Sequence, residues 1–233
     1  RSRGHVPVPL PLSSAGAEVF ATGGDLKSAF AYARGESAVM SQFIGDLESP
    51  SANDLYRADM GRFRDIYRFD PGVVACDLHP GYFTTALAEE LGAAGLRKIM
   101  VQHHHAHIAS VMEEHNLREK VIGIAFDGTG YGTDGSIWGG EVLVGGYQGF
   151  ERRFHLLPVP LPGGDLAVRK PARTALSWLA AAGIPAEEYQ LPPFQALSKQ
   201  ERDAVTAQLQ SRINAPETSS MGRLFDAVAS ILG

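Results

Sequence analysis

The period of apolar and polar positions changes several times along this chain, and each change marks an element. Residues 1–12, "RSRGHVPVPLPL", carry no period, and their proline spacing reads as an extended linker arriving from something upstream. "AEVFATGGDLKSAFAYARGESAVMSQFIGDL" predicts a short apolar strand, a Gly-Gly turn and two more strand-like stretches, "SAFAYARG" and "SAVMSQFIG", together a β-meander. In "SPSANDLYRADMGRFRDIYRF" the period turns helical: Leu55, Met60, Phe63 and Ile66 recur on roughly one face, with Ser and Asn as start signals.

"GVVACD" is a short apolar strand running into the loop "LHPGY". "FTTALAEELGAAG" is a helix with glycine at its end, "LRKIMV" is the next strand, and "HHHAH" opens the helix after it. Strand–helix–strand–helix in this order implies a parallel α/β layer. "VIGIAFDGTGYGTDGSIWGGEVLVGGY" predicts two strands joined by a glycine-rich connection. Residues 170–212 read mostly helical around the break "IPAEEYQLPPF". The final helix, "SSMGRLFDAVASILG", has Ser at its start and Leu224, Val228 and Leu232 on one face. No short tandem repeat interrupts this order.

Composition narrows the class. The 233 residues suffice for one large domain or two small ones. A balance of 21 Lys+Arg against 26 Asp+Glu gives a formal charge of −5 and leaves no concentrated basic face for duplex DNA. The single cysteine, Cys76, excludes an intrachain disulfide and a thiolate zinc cluster. No apolar run approaches the ~20 residues of a membrane helix, and the proline-rich start is not a signal peptide. A reduced, cytoplasmic enzyme domain is the expectation, cut at both ends, with the last helix closing the chain.

Candidate chemistry begins in "VQHHHAHIAS", where four of the eight histidines stand within five positions. His103 and His107, at i and i+4, project from one helix face; His104 and His107, at i and i+3, would also converge. Two imidazoles one turn apart are a common way to supply two ligands to Zn²⁺ or Fe²⁺. The spacing does not say which pair, and a polar helix cap is the competing reading.

The second stretch is "FDGTGYGTDG", residues 126–135, whose glycines let backbone N–H groups approach an anion while Asp127 orients a hydroxyl or a hydrated cation. It joins two strands instead of opening a helix, as a phosphate-clasping hairpin of the actin, Hsp70 and sugar-kinase kind would. An ordinary glycine-rich hairpin is the alternative. Lys27, in the turn "GGDLK", is placed to meet a phosphate or else is a solvated turn residue. Asp77 and His79 end a buried strand, where α/β enzymes place working groups. "PGGDLAVRKPAR" brings Asp165, Arg169, Lys170 and Arg173 to one turn, as an anion-holding cluster or a charged helix start.

Taken together and in order, "GGDLKSAF", "SQFIGDLE", "DLHPGY", "VQHHHAHIAS", "AFDGTGYGTDGSIWGGE", "LPGGDLAVRKPAR" and "SSMGRLFDAVASILG" resemble the carboxy-terminal part of the HypF family of carbamoyltransferases, over nearly the whole chain. That part is similar to the tRNA-modifying enzyme TsaD and to antibiotic O-carbamoyltransferases such as TobZ. The resemblance implies an α/β, actin-like ATPase fold of the TsaD kind, incomplete at its C-terminus. Its first lobe would span residues 13–118 and the start of its second 119–233.

It implies ATP and carbamoyl phosphate as small-molecule partners, carbamoyl-adenylate as the bound intermediate, and the C-terminal cysteine of HypE as acceptor in [NiFe]-hydrogenase maturation. Neither DNA nor a membrane is expected. It assigns His103 and His107 to a divalent metal, iron or zinc, with Mg²⁺ accompanying nucleotide, and leaves a third metal ligand to a segment beyond residue 233. It assigns Asp127, Gly128, Thr129 and Gly130, with Gly222 and Asp226, to nucleotide. Lys27, His79 and Arg173 are the candidate catalytic groups. The alternatives are an O-carbamoyltransferase acting on a small hydroxylated molecule, a tRNA-modifying relative, and a non-catalytic nucleotide- and metal-binding scaffold.

Overall fold

The computed structural model describes residues 7–233; the first six residues of the expected linker lie outside them. The chain divides into two compact units. The first holds residues up to Ala106 together with Ser110–Leu117, and the second holds His107–Ala109 and Arg118–Gly233.

The first unit is built on a four-stranded sheet in the order β2-β1-β3-β4, from β1 (Leu10–Ala21), β2 (Ala31–Met40), β3 (Val73–Asp77) and β4 (Arg97–Val101). β1 pairs antiparallel with β2 and parallel with β3, and β3 and β4 are parallel, so the expected parallel layer is present. Strand β1 starts at Leu10, inside the segment read as linker. Pro11 is tolerated there because β3 runs beside only Val19–Ala21, so that part of β1 needs no ladder on its far side.

The meander has two strands where three were expected. "SAFAYARG" and "SAVM" merge into β2 because Gly35, at φ +58°, sits opposite Gly16 in a bulge with register shifts on both sides of Gly16, instead of turning the chain.

Helix α1 (Pro50–Tyr67) is capped by Ser49, whose hydroxyl accepts from Ala52 N at 3.3 Å. Its inward stripe is Tyr56, Met60, Phe63 and Tyr67. Leu55 and Ile66, expected on that stripe, are instead 47% and 72% exposed. Tyr56 takes the inward place because its hydroxyl donates to Thr22 O at 2.7 Å, which satisfies its one polar atom inside the core. That core is aromatic: Phe20 stacks on Tyr32 at 4.7 Å, Tyr32 on Phe69 at 4.8 Å, and Phe30 meets Tyr56 edge-on at 5.3 Å. Cys76 is buried among them, and burial pushes its thiol pKa up, as suits a packing residue. Helices α2 (Phe83–Ala93) and α3 (His103–Glu114) follow β3 and β4.

In the second unit, β6 (Ile137–Gly146) is flanked antiparallel by β5 (Val121–Tyr131) and β7 (Gly149–His155). Two short strands, β8 (Val159–Pro160) and β9 (Glu217–Thr218), complete the sheet. Strand β7, "GFERRFH", was not anticipated: its charges hide the strand period. The helices are α4 (Asp165–Arg169), α5 (Pro171–Ala181), α6 (Pro192–Gln195), α7 (Lys199–Ser211) and α8 (Met221–Leu232). Ala172, Leu197 and Val205 form a small core, with Leu176 and Leu209 packed against it. In α8, Ala227 faces inward while Phe225, Val228 and Leu232 are exposed.

Candidate metal centre and glycine-rich hairpin

Helix α3 begins where β4 ends. Its N-cap, Gln102, is buried and uses both ends of its amide: Oε1 accepts from His105 N at 2.9 Å, and Nε2 lies 3.1 Å from His104 Nδ1. His104 is therefore fixed inside the first unit, fully buried. His103 and His107 stand one turn apart on the same helix, with side chains 27% and 57% exposed.

Within the second unit, His107 Nε2 lies 3.6 Å from Asp127 Oδ2. That is too long for a hydrogen bond. It is close to the roughly 3.4 Å that separates two donors bound at about 2.1 Å to one tetrahedral ion. Asp127 is itself oriented, because its Oδ1 accepts from Gly128 N at 2.6 Å, which turns Oδ2 toward His107. His107 and Asp127 are thus spaced as two donors of one ion, and His103 stands one turn before His107 on the same helix. The resemblance assigns Asp127 to nucleotide and leaves a third metal ligand to a segment beyond residue 233; the structure brings Asp127 to His107.

The hairpin's turn is also displaced from its expected place. Residues 127–131 continue strand β5, with a register shift between Phe126 and Gly130, and the chain reverses at 132–136. Asp127, Gly128 and Thr129 thus stand outside the ladder with β6, and Thr129 is exposed.

Three backbone segments of the second unit converge behind this stretch. A Cβ on Gly222 would lie 2.7 Å from Gly128 Cα, one on Gly139 2.5 Å from Asp127 O, and one on Gly140 2.6 Å from Ser219 O. Only glycine allows that approach. Ser220 locks it, its hydroxyl lying 3.0 Å from Asp127 O and 2.8 Å from Gly128 O while capping α8 through Arg223 N at 3.2 Å. Asp226, one turn into α8, is paired with Arg223 at 2.7 Å, though the two are not aligned as a hydrogen bond.

A buried ionic network that sequence reading missed holds this junction. Glu141 is fully buried; its Oε2 accepts from Arg152 Nε at 2.6 Å, and its Oε1 from Ser219 Oγ at 2.5 Å and from Gly139 N at 3.1 Å. Burial raises the Glu141 pKa, but these donors outweigh it and leave the carboxyl below its usual range. Arg152 also reaches Asp134 and lies over the Trp138 ring at 4.1 Å. Asp134 in turn binds Ser136 and Trp138 Nε1 and so closes the 132–136 turn. The motif "WGGE" was the available signal: an acid following two glycines in a strand read as apolar.

The candidate catalytic residues fall in separate settings. Lys27 is exposed at φ +50°, with its backbone N–H donating to Asp46 Oδ1 at 2.7 Å. His79 stacks on Tyr82 at 4.1 Å, and its Nδ1 accepts from Gly81 N at 3.2 Å. Arg173, a candidate catalytic cation, is packed inside the second unit. It is only 4% exposed, and it donates to Pro162 O at 2.8 Å and Gln208 Oε1 at 2.6 Å, which ties the 162–164 turn to α7. Burial lowers its pKa. Among the described residues no helix is long and apolar enough to cross a membrane.

A mixed α/β fold with a histidine-bearing helix after a parallel strand and a glycine-rich hairpin locked to a helix start defines the Kae1-like class of the actin-like ATPase fold. Two family models match in tandem: "HypF Kae1-like domain" over residues 14–114, and "Carbamoyltransferase, Kae1-like Domain, second subdomain" over 123–233. The chain belongs to the HypF Kae1-like domain family. Over its full length it is 42% identical to carbamoyltransferase HypF2 of Cupriavidus necator and 41% identical to carbamoyltransferase HypF of Rhizobium leguminosarum. It spans only 28% and 30% of those two proteins. A crystal structure of full-length HypF in the phosphate- and nucleotide-bound form is similar at 46% identity and a TM-score of 0.92, covering 99% of this chain and 36% of that one. The T. kodakarensis HypF structure is similar at 40% identity and a TM-score of 0.89, covering 99% and 31%.

Proposed function

We propose that this chain is the carbamoyl-transfer part of a HypF-type carbamoyltransferase. It would hold carbamoyl-adenylate, made from carbamoyl phosphate and ATP, and deliver the carbamoyl group to the C-terminal cysteine thiol of HypE for cyanide-ligand synthesis in [NiFe]-hydrogenases. The relatives named as carbamoyltransferases along the whole chain support the reaction class. One observation in the structure carries the site: His107 and Asp127 are spaced as two ligands of one ion, at the hairpin locked against the start of α8.

The donors fit a transition metal. Two imidazoles one turn apart with one carboxylate suit Zn²⁺ or Fe²⁺ better than an all-oxygen cation such as Mg²⁺, which would accompany the nucleotide. When bound, the ion would supply Lewis-acid stabilisation of the carbonyl or phosphate oxygen.

The chain's own residues do the rest. Thr129 and the stretch outside the β6 ladder face an anion, and Asp226 at the start of α8 accepts from the ribose. The incoming thiolate sulfur attacks the carbamoyl carbon, forming a C–S bond as the C–O bond to the adenylate phosphate breaks. AMP leaves with that electron pair, and the thiol proton goes to a base or solvent.

The test is carbamoyl phosphate turnover by the complete protein with ATP, with and without HypE. Carbamoyl appearing on the HypE cysteine supports the reading. Turnover onto a small hydroxylated acceptor instead, or nucleotide and metal binding with no turnover, contradicts it.

A further inference from the structure

Asp77 lies at the end of strand β3 with its side chain 7% exposed, and both of its carboxylate oxygens are engaged. Oδ1 accepts from His79 N at 2.9 Å, and Oδ2 lies 2.8 Å from His103 Nδ1. The residue is fixed before α3 begins: it is in register with Val101 across the β3–β4 ladder, and Thr85 Oγ1 donates to its backbone carbonyl at 3.3 Å.

An ionised carboxylate only accepts, so the hydrogen in the contact with His103 sits on Nδ1. The ring is then held as the Nδ1–H tautomer, and Nε2 carries the lone pair. His104, next in the chain, has the opposite arrangement. Gln102 Oε1 is committed to His105 N, so the group facing His104 Nδ1 is the amide donor, and Nδ1 there is an acceptor. His79 Nδ1 is an acceptor too, from Gly81 N. Of these three histidines, His103 is the one with a buried carboxylate on Nδ1.

We infer that Asp77 is a positioning residue, which holds His103 in the tautomer and orientation that present Nε2 to a divalent transition-metal ion. A capping role for the 78–80 loop needs only Oδ1. The second oxygen does something a cap does not: it fixes which ring nitrogen ligates and raises the ligand's basicity. The role rests on the metal reading given above.

The test uses the complete protein, stripped of metal and titrated with Co²⁺ against a competing chelator. Asp77→Ala is expected to weaken Co²⁺ binding by roughly 10–100-fold, the range for losing such a partner. Asp77→Asn should weaken it less, since the amide oxygen still accepts from Nδ1–H, and both should shift the visible d–d bands of the bound ion. Thr85→Val, which disturbs the same loop without touching the carboxylate, should leave affinity and bands unchanged. If Asp77→Ala does not fold, Asp77→Asn decides. Wild-type affinity and bands in both Asp77 variants, with Co²⁺ lost in His103→Ala, would overturn the role and leave the metal reading standing. A wild-type protein that binds no Co²⁺ would overturn the metal reading and the role together.

Discussion

Histidines in one short run do different work according to what backs them. His103→Ala and His107→Ala should each strip metal from the complete protein, measured by elemental analysis, with little change in melting temperature. His104→Ala should do the reverse: it keeps the metal but loses on the order of 1–3 kcal/mol of stability, because His104 is fully buried against Gln102. Equal metal loss in all three variants would contradict the assignment. Glu141 makes a second residue-scale prediction. Burial raises its pKa, and Arg152, Ser219 and the Gly139 N–H more than reverse that. Its folded pKa therefore lies below the ~4.3 of an unfolded glutamate, so it contributes stability above about pH 4.3 that is lost as pH falls through the lower folded value. Glu141→Gln should cost about 1–3 kcal/mol at neutral pH and flatten the acid limb of a denaturation curve; an unchanged acid limb would refute this. Spacing narrowed the histidine run to His103 or His104 together with His107, and the family resemblance chose His103. Their companions Asp77 and Asp127 were not legible as such, because one ends β3, the other lies within β5, and only the fold brings each to the helix.

The junction of β5, β6 and the start of α8 is the element that positions the hairpin, and it depends on backbones touching without side chains between them. Gly222→Ala places a methyl 2.7 Å from Gly128 Cα. It should destabilise the protein by about 1–3 kcal/mol, as overpacking does, and weaken ATP-analogue binding measured by calorimetry. A variant that melts lower but binds nucleotide as wild type would mean that the junction is structural only. Element boundaries were partly readable. Helices α2, α3 and α8 and strands β3 and β4 are legible as elements, whereas α7 is legible only as part of the helical stretch 170–212. β7 did not, since Glu151, Arg152 and Arg153 mask its alternation, and Leu55 and Ile66 misdirected the α1 stripe because hydropathy ranks them above the tyrosines that are packed inward. Where a polar atom finds a partner in the core, as Tyr56 does on Thr22, pattern reading misplaces the face.

For the whole molecule, two groups of exposed apolar side chains in the second unit matter: Ile122, Ile124 and Phe126 on β5, and Phe225, Val228 and Leu232 on α8. Apolar surface of this kind favours association, so residues 1–233 expressed alone should self-associate with rising concentration in sedimentation; a monodisperse species at high concentration would contradict this. The fold class was legible because the strand–helix alternation and the motif order run nearly the full length of the chain, whereas the grouping of His107–Ala109 with the second unit was not. Under the proposed function, His107 and Asp127 hold one metal ion that serves carbamoyl transfer. The most direct test is the transfer of labelled carbamoyl from carbamoyl phosphate to the HypE thiol, with ATP, by the complete protein and its Asp127→Ala variant, alongside the metal content of each. The variant is expected to lose bound metal, and its transfer to fall by at least about 100-fold, the scale of a lost Lewis acid. Full transfer by a metal-free Asp127→Ala protein would contradict that role.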